Sequence, residues 1–239
     1  TPACAVGQCR QTTIQMAKLA RECFFTAVDL LHGYDDEKAA RVETLENLVD
    51  RYEDELGTYM VKLGGKNLSK SDSHTVSLLL HCIGDFERIS DHAINVVESA
   101  EQMHKEGHEF SKKGKDEMKI YGEAIEDILN RTTNAFVAND QELARTVEPL
   151  EEVIDELNRD IRKHHMKRLR KGKCTIELGL VLSDLAMNYE RVADHCSNIA
   201  VYMMQLKDTQ LEEHSFTGQL DESESAEFTR LLQEFGQKY

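Results

Sequence analysis

A chain of 239 residues with two prolines, 13 glycines and no tryptophan is long enough to bury a core and poor in residues that interrupt helices. Its formal net charge of -15 argues against a nucleic-acid binder, because phosphate contacts need a basic footprint. No apolar run reaches the about 18 residues that cross a bilayer, and no signal peptide is legible.

The chain opens on Thr1-Pro2 rather than Met, as a fragment of a longer polypeptide or a processed chain would. Met16, Leu19, Cys23, Ala27 and Leu30 then recur at steps of three and four, the mark of an amphipathic helix. The loop HGYDDEKAAR ends it, with Asp36 as the expected N-cap of the next helix. In that second helix Val42, Leu45, Val49, Tyr52, Leu56, Tyr59 and Leu63 form a heptad seam suited to bundle packing. Gly64-Gly65 stops it. A third helix is expected from about Ser71 to Lys105, its buried face set by Val76, Leu79, Ile83, Phe86, Ser90, Ala93 and Val97.

The same three elements then recur. Met118, Tyr121, Ile125, Ile128 and Thr132 repeat the first series, and Asp140 in VANDQELAR is the expected cap of the next helix. Leu150, Val153, Leu157 and Ile161 repeat the seam, Gly172 stops it, and a third helix is expected from about Thr175 to Lys207. The register changes inside the repeat: Arg41 matches Arg145, but Glu46 matches Glu151 one residue further on. The extra residue lies beside Pro149, which lacks an N–H, so a short helix is expected before Pro149 and a long one after it. DTQLEEHSFTGQLDESESAE reads as a polar linker, and Phe228, Leu231, Leu232 and Phe235 as a short amphipathic helix that docks on a bundle groove. The expected architecture is all-α: a three-helix bundle over residues 1–107, a second over 108–207, and a linker with a tail helix over 208–239.

The most specific repeat is polar. DFERISDHAIN, residues 85–95, returns as NYERVADHCSN, residues 188–198. On the third helix of each copy, Glu87 and Asp91, or Glu190 and Asp194, stack four residues apart beside the buried face. Asn95 and Asn198 continue the line. The second helices carry the same device in Glu46 and Asp50, and in Glu151 and Asp155. Second and third helices should be antiparallel neighbours, so four carboxylates converge in each copy. Hard oxygen ligands of this kind suit magnesium, calcium, manganese or iron. No thiolate joins them, which leaves out a Cys-rich zinc site. The competing interpretation is a solvated acidic face, with Arg88 and Arg191 as surface counter-ions. His92 and His195 point about 100° away from the aspartates before them and read as packing or supporting residues. A ferritin-like di-iron site needs His three residues after Glu, and Ser90 and Ala193 stand there instead. No nucleophile–base set or phosphate-binding glycine loop is legible. Cys23, Cys82 and Cys196 fall on apolar faces and read as reduced, buried small hydrophobes.

At these residues the sequence resembles the PhoU family of phosphate-uptake regulators, over nearly the whole chain. The resemblance implies tandem three-helix bundles whose E/D-x-x-x-D motifs bind metal clusters on the bundle surface. Glu46, Asp50, Glu87 and Asp91 would form one site, and Glu151, Asp155, Glu190 and Asp194 the other. It implies a non-enzymatic, cytoplasmic protein at the inner face of the membrane. Its partners would be a phosphate ABC transporter with a sensor histidine kinase, or the membrane part of a sodium/phosphate cotransporter, with a homodimer as a further assembly. The opening TPACAVGQCRQTTIQMAKLA is similar to the junction that follows the membrane part of such cotransporters, which favours that context. A carboxylate di-metal enzyme and a purely structural interaction module are the alternatives.

One feature stands apart from the resemblance. Arg162, Lys163, Lys167, Arg168, Arg170, Lys171 and Lys173 form a basic cluster in an acidic chain. It reads either as a helix end whose cations suit the C-terminal dipole, or as a tip that faces anionic lipid or a transporter.

Overall fold

The computed structural model describes residues 1–211 and 220–239. Among these the chain is helical, without strands: α1 Pro2–Asp29, α2 Asp36–Gly64, α3 Lys70–Glu106, α4 Lys112–Ala138, α5 Gln141–Arg145, α6 Val147–Arg170, α7 Ile176–Leu211 and α8 Leu220–Lys238. Helices α1, α2 and α3 pack on one another as the first bundle, and α4, α6 and α7 as the second. Of the linker expected at 208–227, residues 212–219 lie outside the described residues; its two ends are helical, in α7 and α8.

Local sequence explains most boundaries. Asp35, not Asp36, caps α2. Its backbone is extended and its Oδ1 accepts from the amides of Glu37 and Lys38 at 2.8 and 3.0 Å. Asp36 falls instead in the first turn, where a negative charge suits the helix dipole. Asp140 caps α5 as expected, accepting from the Leu143 amide at 3.0 Å. Gly172 ends the α6 turn at φ +65°, a conformation glycine adopts without strain.

The break near Pro149 falls earlier than expected. Helix α5 stops at Arg145, Thr146 forms the joint, and Pro149 lies inside the first turn of α6. A proline ring clashes with the carbonyl four residues before it. That carbonyl belongs to Arg145, the last residue of α5, so the disruption appears one turn upstream of the proline. The Thr146 hydroxyl donates to the Leu143 carbonyl and accepts from Arg131, which fixes the joint.

The α2 seam holds at every position but Tyr59, and Leu63 at its end is buried. Tyr59 is 49% exposed, and Met60 takes its place in the core. A straight helix drifts by about 20° per heptad against a 3.5-residue repeat. Met60 follows Val42 by five full turns and so returns to the buried side.

The broadest helix–helix contact joins the two bundles, α3 against α7, and one hydrophobic core runs through both. The two helices are antiparallel: His81 stacks on Tyr202, while further along α3 His92 meets His195. Aromatic residues cross the same boundary. Phe86 of α3 packs edge-on to Phe136 of α4 at 5.1 Å, and Tyr189 of α7 to Phe24 of α1 at 6.0 Å. Helix α8 docks on α6, burying Leu231 and Phe235. Arg131 of α4 lies over the Phe235 ring, and the Tyr239 hydroxyl donates to Asp127 at 2.8 Å.

Candidate metal centre

In the second bundle α6 and α7 bring three of the four expected carboxylates together. Glu151 and Asp155 stand one turn apart on α6, and Asp194 faces them from α7. Their ligand atoms all lie within 4.8 Å of one another. All three are half-buried. Burial, with the charges of Asp155 and Asp194 close by, pushes the Glu151 carboxyl up to about 8. Burial and then the Asp194 charge raise Asp155 as well. One Asp155 oxygen is buried without a hydrogen-bond partner. Three carboxyl groups this close resist ionising together, and with an unsatisfied oxygen among them they fit a cation between them. Glu190 stays outside this group; its charge acts on the buried Tyr121 hydroxyl.

The first cluster is looser. Burial raises Glu46, with the Asp91 and then the Asp50 charge adding to it. Glu87 is pushed up to about 8 by burial first, then by a side-chain hydrogen bond with Asp91 and by its charge. The four residues therefore share one field across α2 and α3. No three of them gather as closely as the second cluster does, among the described residues. Glu53 also acts on Glu87 and is itself raised, by burial and then by Asp54 and Asp50. Sequence reading missed it, although Glu53 stands three residues after Asp50 and so on the same helix face.

Arg88 and Arg191 sit at the rims. Each reaches the aspartate three residues on, at 3.3 Å to Asp91 and 3.6 Å to Asp194. Both pairs are solvent-facing, and such pairs contribute about 0–1 kcal/mol. A shallow pocket of about 310 Å³ opens between Glu151, Asp194, Arg191 and Asn198.

His92 and His195 do not serve their own clusters. His195 Nδ1–H donates to Asp85 at 2.8 Å, and Asn198 Nδ2 donates to the same oxygen at 3.2 Å. Reciprocally, His92 Nδ1–H and Asn95 Nδ2 donate to Asn188 Oδ1 at 2.8 and 3.0 Å. Asp85 and Asn188 hold the same place in the two copies of the motif. The His and Asn of each repeat thus clasp the first residue of the other repeat's motif. The amide nitrogens of Asn95 and Asn198 are committed to this clasp, so only their carbonyl oxygens remain for a metal. Burial holds the His92 imidazole below its usual range. The Cys23 thiol beside the first cluster is inert: it is pushed up to about 12, by burial first and the Glu46 charge second.

Two segments of the chain, residues 13–100 and 118–203, match the PhoU domain family. The chain belongs to the PhoU domain family. The matched segments are the two helical repeats, each carrying one carboxylate cluster. This PhoU-domain chain is 27% identical over 189 residues to the phosphate-specific transport system accessory protein PhoU homolog 1 of Thermotoga maritima, covering 77% of this chain and 79% of the relative. It is 23% identical over 198 residues to the corresponding PhoU homolog of Pseudomonas aeruginosa, covering 82% and 81%. The crystal structure of PhoU from Pseudomonas aeruginosa superposes with a TM-score of 0.81 at 22% identity, over 87% of this chain and all of that one. PhoU from Streptococcus pneumoniae gives 0.77 at 19% identity, over 87% and 97%. These structures share the fold. No helix among the described residues of the PhoU-domain chain is long and apolar enough to cross a membrane.

Proposed function

We propose that this PhoU-domain chain is a non-enzymatic accessory or regulatory domain of phosphate transport that holds metal ions on its paired E-x-x-x-D motifs. The observation that carries the metal reading is the convergence of Glu151, Asp155 and Asp194 within 4.8 Å, with one Asp155 oxygen unsatisfied. The transport reading is supported by relatives that carry the description of phosphate-specific transport system accessory proteins. Glu46, Asp50, Glu87 and Asp91 are the ligands proposed for the first cluster, and Glu190 an additional one for the second. Asn95 and Asn198 are further oxygen donors.

The donor set is all oxygen, so magnesium, calcium, manganese or iron fits it. Bound metal would neutralise like charges on adjacent helices and tie α2 to α3 and α6 to α7. The role is structural and electrostatic, which is why no catalysis is proposed. The domain would work at the cytoplasmic face of a membrane, beside a phosphate transporter or as the soluble part of a sodium/phosphate cotransporter; a homodimer is compatible with it. Elemental analysis of protein purified without chelator tests the metal reading. At least one ion per chain is expected, with loss from the second cluster in Glu151→Ala and Asp194→Ala. Less than about a tenth of an ion per chain, with no thermal stabilisation by added manganese or iron, favours a purely structural module.

A further inference from the structure

The basic cluster noted in the sequence lies at one end of the second bundle. Residues 159–173 contain eight basic and one acidic residue, a formal +7 in a chain of -15. The matching stretch of the first repeat, residues 54–68, has two of each sign and sums to zero. The structure removes two members from the exposed set. Arg162 is half-buried and donates to Asn158 at 3.0 Å. Arg168 is only 12% exposed and pairs with Glu117 at 2.8 Å, which locks the end of α6 to the start of α4. Lys163, Lys167, Arg170, Lys171 and Lys173 remain exposed, with no ion-pair partner among the described residues. Lys112 and Lys113, at the start of α4, add to the same end.

Apolar residues stand out from this charged end. Ile176 is 72% exposed, Leu180 64% and Met166 49%. Ile176 and Leu180 follow one another by one turn at the start of α7. Gly179 lets α7 approach α6 there, because a Cβ would lie 2.7 Å from the His165 ring. The same places in the first repeat hold Ser73 and Ser77. Val61, 66% exposed, matches Met166 in the first repeat, but the charge around it sums to zero, so net positive charge and exposed aliphatic surface coincide at the second-bundle end.

We propose that this end of the second bundle docks on an anionic lipid surface, whether or not the carboxylate clusters hold metal. The lysines and Arg170 would sit among headgroups, and Ile176, Leu180 and Met166 would enter the acyl boundary. The chemistry favours lipid over an acidic protein. The exposed apolar residues are aliphatics rather than the aromatic anchors that dominate protein interfaces. Four of the six exposed lysines and arginines on α6 and its connection to α7 are lysines, with Arg159 and Arg170 the others; lysines are point charges that need no fixed bidentate partner. The acidic remainder of the molecule would be repelled, so the membrane would select this end.

Vesicle co-sedimentation of the full chain tests the proposal. Wild type should pellet with phosphatidylcholine vesicles containing about 30% phosphatidylglycerol at about 0.1 M salt, and not with pure phosphatidylcholine. Each cation at an anionic surface is worth about fivefold in affinity, so Lys163→Glu/Lys167→Glu/Lys171→Glu should weaken partitioning at least about a hundredfold. Ile176→Ser/Leu180→Ser should weaken it about tenfold. Lys62→Glu/Lys66→Glu, in the first repeat, should leave it unchanged. All these side chains are exposed, so melting temperatures should stay with wild type. The proposal is overturned if wild type stays in solution, binds neutral vesicles equally, or ignores the charge reversal. It is also overturned if Ile176→Ser/Leu180→Ser binds vesicles as wild type does and soluble polyglutamate competes as well as vesicles; an acidic polypeptide is then the occupant.

Discussion

The two repeats place the same E-x-x-x-D carboxylate pairs in different surroundings. In the second bundle Glu151, Asp155 and Asp194 are gathered within 4.8 Å, and Asn158 and Arg159 follow on α6. In the first, Glu46, Asp50, Glu87 and Asp91 stand further apart, but Glu53 and Asp54 take the places of Asn158 and Arg159. One site is pre-formed with fewer charges, and the other is more negative but looser. The clasps across the bundle boundary differ in the same way: Asp85 faces His195 as a charged acceptor, whereas Asn188 faces His92 as a neutral one. The two repeats keep the carboxylate pattern, while the electrostatics around it differ.

The largest effect should come from metal itself. At about a hundredfold excess over Kd, a bound ion stabilises by about 2.7 kcal/mol, which for a chain of this size means a Tm rise of about 5–10 °C. Asp194→Ala should remove the share due to the pre-formed site at low metal concentration. Asp91→Ala should act only at higher concentration, because the looser site must first be drawn together. Calorimetric scans across a manganese titration check the order, and the reverse order would break the comparison.

Next come the clasps. Asp85→Ala strands the His195 and Asn198 donors and should cost about 2–3 kcal/mol; Asn188→Ala should cost about 1–2 kcal/mol. Urea unfolding at constant m-value measures both. Equal costs would mean that the charge on Asp85 contributes nothing.

Smaller still is the pH response of metal-free protein. Glu87 and Glu151 have folded values near 8, above the ordinary carboxylate range. Between about pH 4.5 and 8 the folded state keeps protons that the unfolded state has released, so stability falls as pH rises through that window. Solvent screening limits the effect to about 1 kcal/mol per cluster. Glu151→Gln should flatten half of the slope and raise the metal-free Tm at pH 8, while abolishing metal stabilisation at the second site. A Glu151→Gln chain that melts lower than wild type without metal would contradict this.

The smallest expected effect lies at the cluster edges. Glu53→Asn/Asp54→Arg gives the first site the surroundings of the second and should weaken manganese there about three- to tenfold, read by isothermal titration.

The amino-acid sequence alone determined the helices, the duplication and the paired carboxylate motifs. These depend on local periodicity and on residue type: apolar steps of three and four mark a buried face, and carboxylates four apart stack on one side of it. Boundaries followed less closely. The joint at Thr146 arises from a clash one turn upstream of Pro149, and the exchange of Tyr59 for Met60 in the core follows a drift that accumulates over five turns. Tertiary structure alone decided the rest. The antiparallel packing of α3 on α7 joins the bundles into one core and turns His92, His195, Asn95 and Asn198 toward the opposite repeat. The same packing of neighbours took Arg168 out of the basic face and drew Asp194, but not Glu190, to Glu151 and Asp155. Those outcomes depend on contacts between residues far apart in the chain, which no local pattern encodes.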